Sequence, residues 1–132
     1  PALGPAWESH HTRRFAGQEV DDSQRADRLL ELMEPYTGAD RRASWAEALA
    51  VAYNGRILAS WKLLGATGEI AQARLAGLVP EFWAFTVWNF PELEKTYNEL
   101  TPDELQSLND HWTRLGHLVR RFFQSIYVPP LD

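Results

Sequence analysis

Apolar residues recur at helical spacing along much of the chain. After the acidic, cap-forming run Asp21-Asp22-Ser23, Ala26, Leu29, Leu30 and Met33 follow i, i+3, i+4, i+7 steps, and the pattern stops at Glu34-Pro35. This predicts a first helix, with Pro35-Tyr36-Thr37-Gly38 as a turn. Ser44-x-x-Glu47 reads as a capping box that opens a second helix at Ser44, after Arg41 and Arg42. That helix runs to Leu64 and stops at Gly65, giving about 20 residues and roughly 30 Å. Trp45, Leu49, Ala52, Tyr53, Ile57 and Leu64 would line one broad face, with Gly55 weakening the middle by about 1 kcal/mol against Ala.

Thr67-Gly68-Glu69 opens a short third helix through Ile70, Ala73 and Leu78, rich in small residues. Between Pro80 and Pro91 the apolar positions lose their sidedness. Wound at about 100° per residue, Phe82, Trp83, Phe85, Val87, Trp88 and Phe90 surround the cylinder, so this short helix must be covered on all sides. A strand is possible on propensity, but no partner strand is evident in the pattern. Thr101-Pro102-Asp103-Glu104 then combines an N-cap, a Pro at N1 and a capping-box Glu. Leu105, Leu108, Trp112, Leu115, Val119, Phe122 and Ile126 continue in 4/3 steps, predicting a last helix of about 25 residues and nearly 40 Å.

The expected fold is therefore all-α: a single-domain bundle of four to six helices, with a short aromatic central helix and a long C-terminal one. Residues 1–20 read as an arm packing through Trp7 and Phe15, 21–128 as the bundle and 129–132 as a tail. A chain of 132 residues suits one core, and six Trp, six Phe and four Tyr supply bulky material for it. With no Cys, disulfides, thiolate zinc sites and cysteine nucleophiles are excluded. The net charge of −5 argues against generic nucleic-acid binding. Acidic stretches at 21–40 and 81–104 alternate with a basic one at 41–65, which suits segments packing with complementary rims. No apolar run is long enough to span a bilayer, and the N-terminal segment lacks the basic head and apolar core of a signal peptide. Cytoplasm is the expected compartment.

Few residues point to chemistry. Glu8-x-x-His11 has the spacing of half a di-iron site, but neither His111 nor His117 has an acid three residues before it, so no metal centre and no cofactor is expected. Arg56 falls inside the apolar face of the second helix, either as an edge residue pairing with Glu94 or Glu99, or as an anion clamp facing a Trp-lined cleft. His111 borders the apolar stripe of the last helix, while Asp110, Arg114, His117 and Arg121 share its outward face. No phosphate loop, nucleophile elbow or His-Glu-x-x-His is present. The resulting expectation, leaning away from an enzyme, is a non-catalytic helical interaction or self-association module. It would hold a protein partner or second copy on Phe82, Trp83, Phe85, Trp88, Phe90 and Tyr97. The alternative is a small-molecule site for an anionic or aromatic ligand, that of a binding protein or an enzyme, in an apolar inter-helix cleft with Arg56 and His111 as its polar groups.

Overall fold

The computed structural model describes residues 2–7, 11–108 and 110–126. The fold is mixed α/β, which overturns the all-α bundle: three helices accompany a four-stranded antiparallel sheet of order β1-β2-β3-β4 among the described residues. The strands are β1 (Arg42–Tyr53), β2 (Arg56–Ile70), β3 (Trp88–Phe90) and β4 (Lys95–Thr96), and the helices α1 (Asp22–Met33), α2 (Pro102–Ser107) and α3 (His111–Ile126). By its contacts the chain divides into two compact units, residues 1–43 with 67–100, and residues 44–66 with 101–132.

The largest correction concerns the second helix, which is a β-hairpin. Its turn is Asn54-Gly55, and both residues have positive φ, 47° and 74°, as a type I′ turn requires. Such a turn matches the twist of the strands it joins. Around it most of the bulky apolar side chains, Trp45, Leu49, Val51, Tyr53, Ile57, Trp61 and Leu63, stand at odd positions, with Glu47 an exception, so the segment has a period of two in bulk as well as an approximate helical one. The capping box at Ser44 and the helix stop at Gly65 do not exist; both residues lie within strands.

In the first unit, α1 forms as its pattern predicts. Gln24 N donates to Asp21 Oδ1 and Asp21 N donates to Gln24 Oε1, each at 2.8 Å, closing a capping box. Ala26, Leu29 and Met33 are buried with Ile70, Trp83 and Val87 in one core, against which Trp7, Phe15 and Leu30 pack. Trp7 meets Phe15 edge-on at 5.0 Å, and Phe15 stacks on Trp83 at 5.3 Å. Residues 71–81 contain no helix, contrary to the predicted third one. They are pinned to α1 through Arg74, which donates to Asp27, Ser23 Oγ and the Ser23 carbonyl, and through the Glu81 amide, which donates to Asp22.

The aromatic stretch is a 3-10 turn, Trp83–Thr86, followed by β3, and not a helix. Its partner strand is the end of β2: Glu69 pairs with Asn89 and Ile70 with Trp88. Residues 67–70, expected in the third helix, are the strand end that supplies this pairing. Trp83, Val87, Trp88 and Phe90 are buried, so most of the rings are covered, though by a sheet and α1. Gly68 makes the close approach possible, because a Cβ there would lie 2.3 Å from Trp88 Nε1 and 2.7 Å from the Asn89 carbonyl oxygen.

In the second unit, α2 starts at the predicted Thr101 cap, where Glu104 N donates to Thr101 Oγ1 at 3.3 Å and Thr101 N to Glu104 Oε2 at 2.8 Å. The single long helix does not form. α2 ends at Ser107 and α3 begins at His111, and Trp112 and Ile126 of the supposed 4/3 seam are half exposed. Hairpin and helix meet where Trp61 contacts Phe122 at 5.7 Å and Arg114 donates to the Leu64 carbonyl at 2.9 Å.

Candidate functional site

Five of the eight residues singled out from the sequence come together in the first unit. The β3–β4 register, Asn89 with Thr96 and Phe90 with Lys95, delivers Tyr97 beside β3. Trp88 meets the Tyr97 ring edge-on at 6.0 Å and Phe90 meets it at 5.8 Å. Phe85 stacks on Tyr97 at 4.2 Å with 19° between planes, and Phe82 stacks on Phe85 at 5.0 Å with 26°. The result is a three-ring ladder, Tyr97–Phe85–Phe82, that starts in the core and ends at the surface. Tyr97 is 7% exposed and Phe82 44%.

The base of the ladder is fixed by a capping box around the turn Tyr97–Glu99. Thr96 donates to Glu99 Oε2 from its amide at 2.7 Å and from its hydroxyl at 2.6 Å. Those two bonds, hydroxyl first, with Lys95 nearby, hold the Glu99 carboxyl below its usual range. Trp83 turns away from the ladder toward Phe15 and the α1 core. An open depression of about 760 Å³ lies between Leu78-Pro80 and the segment from Gln18 to Arg25. Asp21 and Asp22 of its lining are engaged at the α1 cap and at Glu81 N, and Arg25 is held by Asp22 and the Arg13 carbonyl.

Arg56 and His111 lie in the second unit. Arg56 opens β2 next to the turn and is exposed; the helical face that would have buried it does not exist. His111 is 1% exposed. Its ring stacks on Trp45 at 6.2 Å and presses on Gly65, where a Cβ would lie 2.4 Å from Nδ1. Neither ring nitrogen makes a hydrogen bond of good geometry, yet Nδ1 is 3.1 Å from Asp110 Oδ1 and Nε2 is 3.4 Å from Glu47 Oε2. Burial pushes the imidazole below its ordinary pKa, against the pull of Asp110 and Glu47. Asp110 is buried, not outward-facing, because α3 begins after it and its Oδ2 accepts from Trp112 N at 3.1 Å. The helical reading missed Trp45, Glu47 and Asp110 as neighbours of His111; strand alternation around Asn54-Gly55 would have put Trp45 and Glu47 on one face.

Among the described residues no group of three or more His, Asp or Glu is arranged to hold a metal ion, and no helix is long and apolar enough to cross a membrane. Glu8 of the N-terminal Glu8-x-x-His11 motif, and the tail at 129–132, lie outside the described residues.

No family profile and no curated protein matches the sequence. Solved structures do match the fold. A HAM1 protein from Coxiella burnetii superposes with a TM-score of 0.64 at 24% identity, covering 83% of this chain and 57% of its own. The Staphylococcus aureus Ham1 protein gives 0.66 at 20% identity, covering 89% and 58%. The chain has a Ham1-like fold. A third structure, a nucleoside-triphosphatase (dITP/XTP pyrophosphatase) from Mycobacterium abscessus, gives 0.62 at 22% identity, covering 82% and 55%. This chain thus spans less than three fifths of each protein. The expectation of a non-catalytic helical interaction or self-association module gives way here, because the fold is mixed α/β and resembles that of the HAM1 structures. The small-molecule alternative is the one these likenesses favour.

Proposed function

We propose that the Ham1-like domain binds a purine nucleoside triphosphate, with the base resting on the outer face of Phe82. The observation that carries this reading is the Tyr97–Phe85–Phe82 ladder, whose last ring is 44% exposed while the others are held by the core. A ring fixed at its back and open at its front is a stacking platform. Base-on-aromatic stacking contributes about 1–3 kcal/mol and tolerates different bases. The class of ligand follows from the Mycobacterium abscessus relative, whose name gives dITP and XTP as what it acts on.

Calorimetric titration with ITP, XTP, GTP and UTP tests the proposal. Binding of the purine nucleotides is expected, and Phe82→Ala should weaken it about 5- to 150-fold, the equivalent of that stacking energy. Phe82→Tyr should preserve it. No binding of any nucleotide, or equal binding by wild type and Phe82→Ala, would refute the reading. Product analysis of each bound nucleotide then separates a pyrophosphatase, which releases pyrophosphate, from a domain that only binds.

A further inference from the structure

α3 carries more apolar surface than the hairpin covers. At about 100° per residue its apolar side chains form one broad arc in two halves. Leu115, Leu118 and Phe122 make the inner half, where Leu115 is buried and Phe122 meets Trp61 of β2. Trp112, Val119, Phe123 and Ile126 make the outer half, within about 60° of one another. Of these, Trp112, Phe123 and Ile126 are half exposed. The two outer rings are braced from behind: Trp112 lies 5.0 Å from the His111 ring, and Phe123 meets Phe122 edge-on at 5.3 Å. The stripe is thus held outward over a length of about 20 Å, and half of its bulk stays uncovered among the described residues.

Charge selects the occupant. α3 contains three Arg and no Asp or Glu. Arg114 is taken up by the Leu64 carbonyl. Arg120 and Arg121 are exposed and form no ion pair among the described residues; with His117 they flank the outer stripe on one side. The acidity of the chain does not oppose them, because the second unit carries five Lys and Arg against five Asp and Glu and the whole net charge of −5 resides in the first. An apolar stripe beside a row of cations, with an aromatic ring toward each end, suits a lipid interface. Rings and aliphatic chains enter the acyl boundary while guanidinium heads reach anionic headgroups. Nucleic acid fits less well, since Val119 and Ile126 offer no π face for a base. We infer that α3 docks the domain on an anionic lipid surface, with Trp112, Val119, Phe123 and Ile126 at the acyl boundary and Arg120 and Arg121 at the headgroups. The inference does not depend on the nucleotide reading.

Vesicle flotation of the full chain tests it, with phosphatidylcholine alone and with phosphatidylcholine and phosphatidylserine in equal parts. Wild type is expected on the mixed vesicles and not on the neutral ones, and added salt should release it. Arg120→Gln/Arg121→Gln should weaken binding about 30-fold, as two cations at an anionic surface imply. Phe123→Ser/Ile126→Ser, at half-exposed positions, should weaken it about 10- to 100-fold with an unchanged circular-dichroism spectrum. Arg13→Gln/Arg14→Gln removes the same charge from exposed positions of the first unit and should bind as wild type does. Should the serine variant lose its fold, the two arginine pairs carry the comparison. A wild type that floats with neither vesicle or equally with both, an α3 variant that binds as wild type does, or equal losses from the two arginine pairs would overturn the inference.

Discussion

Both units of the molecule bury basic side chains, and Arg41 of the first and His111 of the second are treated differently. In the first unit Arg41, 7% exposed, donates to the carbonyls of Met33 and Ile70 at 2.6 Å, of Ala71 at 2.5 Å and of Tyr36 at 3.0 Å. Its planar fork ties the C-terminal end of α1 to the end of β2, so a buried cation is fully solvated by backbone dipoles. In the second unit His111 sits deeper and faces two carboxylates, but its nitrogens make no well-aligned hydrogen bond. The first arrangement is a clamp that works in one protonation state. The second depends on whether a proton is present, because a neutral imidazole can donate to only one of Asp110 and Glu47. Irregular backbone needs the clamp: the first unit is largely turns and short strands, whereas the second is a regular hairpin and helix whose ladders satisfy themselves.

The comparison can be broken at three places, in decreasing order of effect. Arg41→Ala should destabilise the protein by about 3–5 kcal/mol in denaturant unfolding, since each buried acceptor left unpaired costs about 1–3 kcal/mol. Arg41→Lys should recover little of this, because one ammonium cannot span four carbonyls. A loss below 1 kcal/mol would show that water replaces the clamp. Next come the two tight glycines of β2. Gly65→Ala and Gly68→Ala should each cost about 1–3 kcal/mol by overpacking, but only the first should be relieved by a second change. The obstacle at Gly65 is the His111 ring, so Gly65→Ala with His111→Ala should couple favourably. The obstacle at Gly68 includes the Asn89 backbone oxygen, so Trp88→Ala should not rescue it.

The smallest effect is that of pH on His111. Its folded pKa is depressed, so below about 6.5 the unfolded chain takes up a proton that the folded one refuses. Stability is therefore complete above that value and falls as the pH drops from it toward the folded pKa. Thermal melts between pH 8 and 5 should show this decline, and His111→Gln should flatten it. A decline identical in the variant would assign the effect to other groups.

Two of the three N-cap signals were legible in the sequence, and the third, Ser44-x-x-Glu47, falls within a strand. Asp21 and Thr101 start helices where their neighbours Gln24 and Glu104 complete capping boxes, and the α1 stripe packs as spaced. The hairpin was not, because Ala46, Ala48, Ala50, Ala52 and Ala59 favour a helix on propensity, and Gly55 read as a flaw in one when, with Asn54, it was the strongest signal for a turn. That single choice hid β2 and with it the partner of the aromatic strand. The 4/3 stripe failed for another reason: 4/3 spacing cannot reveal an interruption such as the one between Ser107 and His111. For the site, Phe82, Phe85, Trp88, Phe90 and Tyr97 were chosen for their bulk, and they do gather. Their order as a ladder depends on the β3–β4 register, which only the sheet supplies.

The Asn54-Gly55 turn also bears on the order of folding. Strands joined by a two-residue loop find each other locally, in about 1–10 μs, whereas pairing Glu69 with Asn89 and seating Arg41 against Ile70 require closing much longer stretches of chain. The hairpin is thus expected to form early and to hold Gly68 and Ile70 ready, with the aromatic strand as the late arrival; pulse-labelling of amides during refolding would show protection at Val51 before Asn89.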